Sequence, residues 1–176
     1  MAAERSTAEL EEFLAERADH LLRTAVLLAG GREAGEDLLQ TAVEWLLQRW
    51  SRFDGDPEGY LRRTLCNLAI DGKRRAGRWR QKERLLRVDV RQVDPASDVD
   101  LRDALVRLLL RLPARQRAAL VLRYWEQLTG AETAAVLGCA EGTVRSAVSR
   151  GLTRMRELAE EWNDAAALSG REENRS

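Results

Sequence analysis

Apolar residues recur every three or four positions through most of this chain, the spacing of one buried helix face. Over residues 8–29 they are Leu10, Phe13, Leu14, Leu21, Ala25 and Leu28, and Gly30-Gly31 stops that helix. A second helix is predicted from about Glu33 to Trp50, with Leu38, Ala42, Trp45, Leu46 and Trp50 on or near one face. Asp54-Gly55-Asp56-Pro57 breaks the pattern, and Pro57 suits the first turn of a third helix. That helix carries Tyr60, Leu61, Leu65, Leu68 and Ala69 inward and runs into Lys73-Arg74-Arg75, closing a small bundle near residue 80. In residues 82–99, Asp94-Pro95-Ala96-Ser97-Asp98 has linker chemistry. Val88, Val90 and Val93 alternate weakly there, leaving two short strands as a minor alternative.

Helical spacing returns at Leu101, Ala104, Leu105, Leu108, Leu109 and Leu112. After Pro113 a helix is predicted through about Trp125, with Leu120, Val121 and Tyr124 among its apolar residues. Thr129 and Glu132 have the spacing of a capping box, opening a short helix that ends at Gly138. A last helix follows from about Gly142 to Glu161, then a polar, flexible tail over 163–176. The expected fold is all-α: two small helical domains, 8–81 and 100–162, joined by a short linker over 82–99. The second domain has the plan of a helix-turn-helix.

Composition sharpens this picture. The chain has 176 residues, 44% hydrophobic and 33% charged, which is globular rather than disordered. Its 29 basic and 29 acidic side chains cancel, which by itself argues against a nucleic-acid binder. The cancellation is a sum of unequal parts. Residues 1–59 hold 6 basic and 13 acidic side chains, a net of −7; residues 60–91 hold 11 and 3, a net of +8; residues 92–176 hold 12 and 13, a net of −1.

Other classes drop out. The longest apolar stretches, Ala25 to Ala29 and Ala118 to Leu122, are far short of the roughly 20 residues of a membrane span. No basic start followed by an apolar core marks a signal peptide, and Cys66 and Cys139 form neither a CxxC nor a disulfide framework, so a cytoplasmic protein is expected. The single histidine, His20, allows no zinc cluster and no histidine-based triad, and reads as an ordinary surface or half-buried helix residue. Cys139, after Gly138, reads as a small core plug, and Gly30-Gly31 matches no phosphate loop. No catalysis, metal or cofactor is expected.

Two segments carry chemistry. In the helix-turn-helix, Leu137, Cys139, Val144 and Ala147 or Val148 would fill the wedge between helices. That leaves Thr143, Arg145, Ser146, Ser149 and Arg150 facing outward. Arginine bonds guanine O6 and N7 bidentately, while serine and threonine reach phosphates or bases. In the basic segment, Lys73, Arg74, Arg75, Arg78, Arg80, Lys82 and Arg84 surround Trp79. Such a patch attracts phosphates, and Tyr60 and Trp79 offer rings on which unpaired bases can stack, with a solvated basic face and Trp79 packed on the bundle as the alternative. A duplex-reading surface and a strand-holding surface on one chain point to promoter opening.

These residues resemble a family. Gly35-Glu-Asp-Leu-Leu-Gln40, Tyr60-Leu-Arg-Arg-Thr-Leu-Cys-Asn67-Leu-Ala-Ile-Asp71-Gly-Lys-Arg-Arg75, Leu112-Pro-Ala-Arg-Gln-Arg117 and Gly142-Thr-Val-Arg-Ser146 follow in order over about residues 9–160. Together they look like the extracytoplasmic-function sigma factors of bacterial RNA polymerase. Leu22-Arg-Thr-Ala-Val-Leu-Leu28 further resembles an actinobacterial branch, and 27 arginines against 2 lysines fit a GC-rich source.

The resemblance implies sigma regions 2 and 4, with core RNA polymerase and promoter DNA as partners and an anti-sigma factor as a regulator. It makes Asp37 and Gln40 polymerase contacts. It gives Tyr60, Asn67, Lys73, Arg74, Arg75 and Arg78 to the −10 element, with Asn67 as a loop residue capturing a flipped base, or else a simple helix-to-loop cap. It gives Thr143, Arg145, Ser146, Ser149 and Arg150 to the −35 element. Three positions depart from the family pattern. Tyr60 replaces the usual Trp; Thr133 replaces a core Ile, which should loosen its helix; and Ala140 replaces the usual Ser or Pro, leaving the last helix without a strong side-chain cap. Two other functions fit the residues: a stand-alone helix-turn-helix regulator, and an inactive sigma-like interaction module.

Overall fold

A computed structural model describes residues 6–79 and 98–173, with side chains described over 6–72 and 103–162. Among the described residues there is no strand. The weakly alternating valines lie outside them.

Helix α1, Thr7–Ala29, begins where the Ser6 side chain accepts a hydrogen bond from the Glu9 N–H, and ends as the Gly30 N–H donates to the Val26 carbonyl. Helix α2, Arg32–Leu47, folds back along it. Gly35 is the point of closest approach: a Cβ there would lie 2.8 Å from the Val26 backbone nitrogen. The spacing carries this helix on to Trp50. The chain instead turns after Leu47 into a single 3-10 turn, Trp50–Arg52. That turn buries Trp50 and lets its indole N–H donate to the Ser6 carbonyl at 2.7 Å. Trp45, expected near the inward face, is 42% exposed, because the neighbouring Ala42 and Leu46 take the buried stripe.

Helix α3, Pro57–Trp79, is opened by Asp56, whose carboxylate accepts from the N–H groups of Glu58 (3.0 Å) and Gly59 (2.9 Å). Its Leu61, Leu65 and Cys66 are fully buried. Helix α4, Asp98–Leu110, lies against α1, and Pro113 leads into α5, Ala114–Leu120. The predicted single helix to Trp125 is interrupted, since Val121–Trp125 is a π-helical turn. The wider turn leaves Tyr124, expected among the apolar residues, 62% exposed. Helices α6, Gly130–Leu137, and α7, Glu141–Glu173, complete the chain. α7 continues past the expected end near Glu161, through Ala165-Ala166-Ala167, which are strong helix formers.

The two halves share one core. Leu10, Leu21, Ala25 and Leu28 of α1, Ala42 and Leu46 of α2, and Leu61, Leu65 and Cys66 of α3 form a cluster with Ala118 of α5 and with Val121 and Leu122. Each buried leucine contributes about 1.5–3 kcal/mol. A smaller cluster, Leu109, Leu112, Leu120 and Leu158, also takes Leu27 of α1 against it. α1 is thus the common wall of both halves.

Candidate nucleic-acid interface

The helix-turn-helix forms for local reasons. Thr129 is extended (φ −65°, ψ 167°), and its hydroxyl accepts from the Glu132 N–H at 3.2 Å. The Glu132 carboxylate accepts in return from the Thr129 N–H and hydroxyl, each at 2.7 Å. These bonds hold the Glu132 carboxyl below the usual carboxylate range. Capping of this kind contributes about 1 kcal/mol. Gly138 ends α6 with φ 60°, left-handed backbone that glycine adopts without strain. The Cys139 N–H then reaches back to the Ala134 carbonyl at 3.1 Å.

Val144 and Ala134 are buried between the helices, with Leu137, Cys139, Ala147 and Val148 half-buried beside them. Thr133 is fully buried, and its hydroxyl has no hydrogen-bond partner, a cost the family's isoleucine does not carry. At Ala140 the start of α7 is held by backbone alone, its carbonyl accepting from the Thr143 and Val144 N–H groups. Thr143, Arg145, Ser146, Ser149 and Arg150 are all exposed, as expected.

Beside that face lies an open groove of about 390 Å³. Thr143, Ser146 and Arg150 line one side, and Pro113, Arg115 and Gln116 the other. Arg115 and Gln116 were missed by the sequence reading. Pro113 fixes them in the first turn of α5, but only tertiary packing sets that turn opposite α7.

On α3, Tyr60 is half-buried, edge-on to the Phe53 ring at 5.4 Å, with the Arg49 guanidinium over its face at 5.4 Å. Asn67 is exposed, but it sits mid-helix, neither in a loop nor at a cap. Lys73, Arg74, Arg75 and Arg78 stand on the last turns of α3, and their side chains lie outside the described residues. The other side of α3 meets the helix-turn-helix, where the Arg63 guanidinium donates to the Ala135 carbonyl. Asp37 and Gln40 are exposed on α2, and the Gln40 amide donates to Glu44 at 3.0 Å. With Thr41 they make a polar face beside the exposed Trp45 and Leu47.

The polar centre of the molecule was not foreseen. Glu126, just after the π-helical turn, has a side chain only 2% exposed. It accepts from His20 Nε2 at 3.1 Å, Thr24 Oγ1 at 2.5 Å and Arg62 Nε at 2.8 Å. Burial alone would raise the Glu126 carboxyl, but these donors bring it below the usual range. Trp125 donates its indole N–H to Thr24 Oγ1 at 3.0 Å and stacks on His20 at 5.7 Å. His20, half-buried as expected, is in addition a structural link between the halves.

His20, Glu58 and Glu126 bring ligand atoms within 4.8 Å of one another. Arg62 already pairs with Glu126 at 2.8 Å and Glu58 at 3.0 Å, occupying the carboxylates a metal ion would need. Burial pushes the neighbouring Cys66 thiol up to about 12, with Glu126 adding to the rise and Arg62 opposing it. Such a thiol is inert.

Among the described residues, no helix is long and apolar enough to cross a membrane. Residues 14–79 match Sigma-70 region 2, and residues 102–155 match Sigma-70 region 4. An RNA polymerase sigma-E factor of Streptomyces avermitilis is 37% identical over 179 residues, covering 95% of this chain and 94% of that protein. The ECF RNA polymerase sigma factor SigM of Mycobacterium tuberculosis is 34% identical, covering 78% of this chain and 70% of that protein. Among solved structures, the sigma factor RpoE of Bartonella quintana, in complex with the anti-sigma factor NepR, superposes with a TM-score of 0.65. Its sequence identity is 29%, covering 85% of this chain and 98% of that one. By sequence over nearly its whole length, and by fold, the chain belongs to the extracytoplasmic-function sigma factors of RNA polymerase.

Proposed function

We propose that this sigma factor, acting in the cytoplasm and without catalysis of its own, directs core polymerase to promoters through three separate faces. The outward side of α7 reads the −35 duplex, with Thr143, Arg145, Ser146, Ser149 and Arg150 as the reading residues. The single observation that carries this is their joint exposure on a helix whose opposite side, at Val144, is buried in a capped helix-turn-helix. Arg115 and Gln116 extend that face across the groove, where a guanidinium suits the phosphate backbone rather than a base edge.

Tyr60 and Asn67, with Lys73, Arg74, Arg75 and Arg78, handle the −10 element. Asn67 presents its amide from the exposed side of a helix to an extruded base edge. Asp37 and Gln40 meet the polymerase. The working units are 8–81 and 100–162, joined through 82–99. An anti-sigma factor is the expected regulator, since the RpoE structure is a complex with one.

The test is run-off transcription with purified core enzyme on a promoter library. Transcripts should require both the chain and the core. Arg145→Ala should cost about 1–3 kcal/mol of −35 discrimination, a loss of about 5- to 150-fold. Arg115→Ala should instead weaken all promoters alike and lower the salt slope by about one. Asn67→Ala should impair opening without changing −35 choice. Specific binding to a palindrome without core would support a stand-alone regulator. Unchanged promoter choice in Arg145→Ala would remove the assignment of that face.

A further inference from the structure

We propose that the buried Glu126 cluster is a latch. It holds the free chain in a closed arrangement in which its two DNA-reading surfaces cannot serve one promoter together. The inference rests on the two-element reading above.

The geometry is the starting point. Elements centred at −35 and −10 lie about 25 base pairs apart, roughly 85 Å of duplex at 3.4 Å per pair. In the structure the two surfaces are side by side. Ile70, one helical turn past Asn67, lines a cavity of about 20 Å³ together with Thr143, Val144 and Ala147. A compact chain of this length has a radius of gyration of only about 16 Å. The closed molecule is too small to touch both elements at once, so the halves must part on the promoter. The 18 residues from 80 to 97 give a covalent reach of up to about 60 Å.

Glu126 holds the halves together. Its three donors, His20, Thr24 and Arg62, all come from the first half, while Glu126 belongs to the second. Trp125 closes over them, bonded to Thr24 and stacked on His20. Arg62 is itself fixed from the other side by Glu58 at 3.0 Å. A carboxylate this buried has no solvent to fall back on, so each donor matters. The next residue, Gln127, has φ 54°, a left-handed backbone that a residue with a Cβ rarely adopts. The turn is closed within the second half, the Glu126 N–H donating to the Val121 carbonyl and the Leu128 N–H to the Leu122 carbonyl, each at 3.0 Å, so Glu126 is presented to the first half from a locally held turn. Apolar contacts of Ala118, Val121 and Leu122 remain as a second hold. Loss of the latch therefore shifts a closed–open balance rather than abolishing the closed form.

The experiment uses the full chain with Cys139→Ser, labelled through Glu12→Cys and Glu160→Cys, both exposed sites, for single-molecule energy transfer. The parent should give one short distance. Glu126→Gln should raise the open-to-closed ratio about tenfold. It should also raise run-off initiation several-fold at limiting core enzyme, the difference vanishing at saturating core. An unchanged distance distribution in Glu126→Gln, with helical circular dichroism retained, overturns the latch. If that variant loses helical signal, Thr24→Val, which removes hydrogen bonds but no charge, decides in its place by the same distance criterion. A parent chain that gives no core-dependent transcripts, with a variant that still opens, would sink the promoter reading and leave the latch standing.

Discussion

Alanine at Gly35 and alanine at Gly72 are the same substitution in two helices, and they should change stability in opposite directions. Replacing a mid-helix glycine with alanine normally stabilises by about 0.5–1 kcal/mol, because glycine loses more backbone freedom on folding. Gly72 in α3 is exposed with no atom within 4 Å of an added Cβ, so it should show that gain. At Gly35 the added Cβ would lie 2.8 Å from both Val26 Cγ2 and the Val26 backbone nitrogen, and 2.9 Å from its Cα. Ordinary carbon contacts are about 3.5–4.0 Å, so α1 and α2 must part by most of an ångström. A flexible side chain could swing aside, but a helix backbone cannot. Overpacking of this kind costs about 1–3 kcal/mol. The seam it loosens holds Ala25, Leu28 and Ala42, which places the cost toward the upper end. After the helix-propensity gain, Gly35→Ala should destabilise by about 1–2 kcal/mol, so the two variants should differ by about 2–3 kcal/mol. In a thermal melt of a chain this size, each kcal/mol moves the midpoint by about 2–4 °C. Urea unfolding followed by far-UV circular dichroism gives the same comparison. If both variants were stabilised, the close approach of α1 and α2 would be refuted.

Two further outcomes follow from the buried charges. Cys66, with its thiol pushed up to about 12, should resist iodoacetamide in the native chain at neutral pH, while half-buried Cys139 is modified first. Mass mapping of the alkylated peptides reads this directly, and equal labelling would contradict the burial of Cys66. The Glu126 carboxyl sits below the ordinary glutamate value of about 4.3, so its contribution is full above that value and is lost as pH falls through the lower, folded one. Facing His20 and Arg62, with Glu58 and Arg17 next in line, the labelled chain should stay closed at about pH 5 and open in more acidic solution. Glu126→Gln should remove that acid step, and an identical step in the variant would assign it to other carboxyls.

What the chain reveals without its fold is mostly local. The capping box at Thr129 and Glu132, the proline start of α3 and the alternation of buried Val144 with exposed Arg145 each depend on residues within four positions, and each formed as its spacing requires. The end of α2 was misjudged because Trp50 fits the helical stripe, yet its indole finds a better partner in the Ser6 carbonyl, 44 residues away. Arg115 gives no sign by type or spacing that it faces α7. His20 is the clearest case. A lone histidine beside an aspartate carries no signal of its own, and its partner lies 106 positions along the chain. The three donors on Glu126 come from 106, 102 and 64 residues away, a convergence no periodicity encodes. The zero net charge hides two layers of this kind. Partition by segment recovers the basic stretch at residues 60–91, because those charges are neighbours in sequence. It cannot recover the pairing of Arg62, inside that same stretch, with an acid of the other half. One cation of the segment most suited to DNA is instead spent on holding the protein shut, which is why counting charges along the chain overstates what the closed form presents to a phosphate backbone.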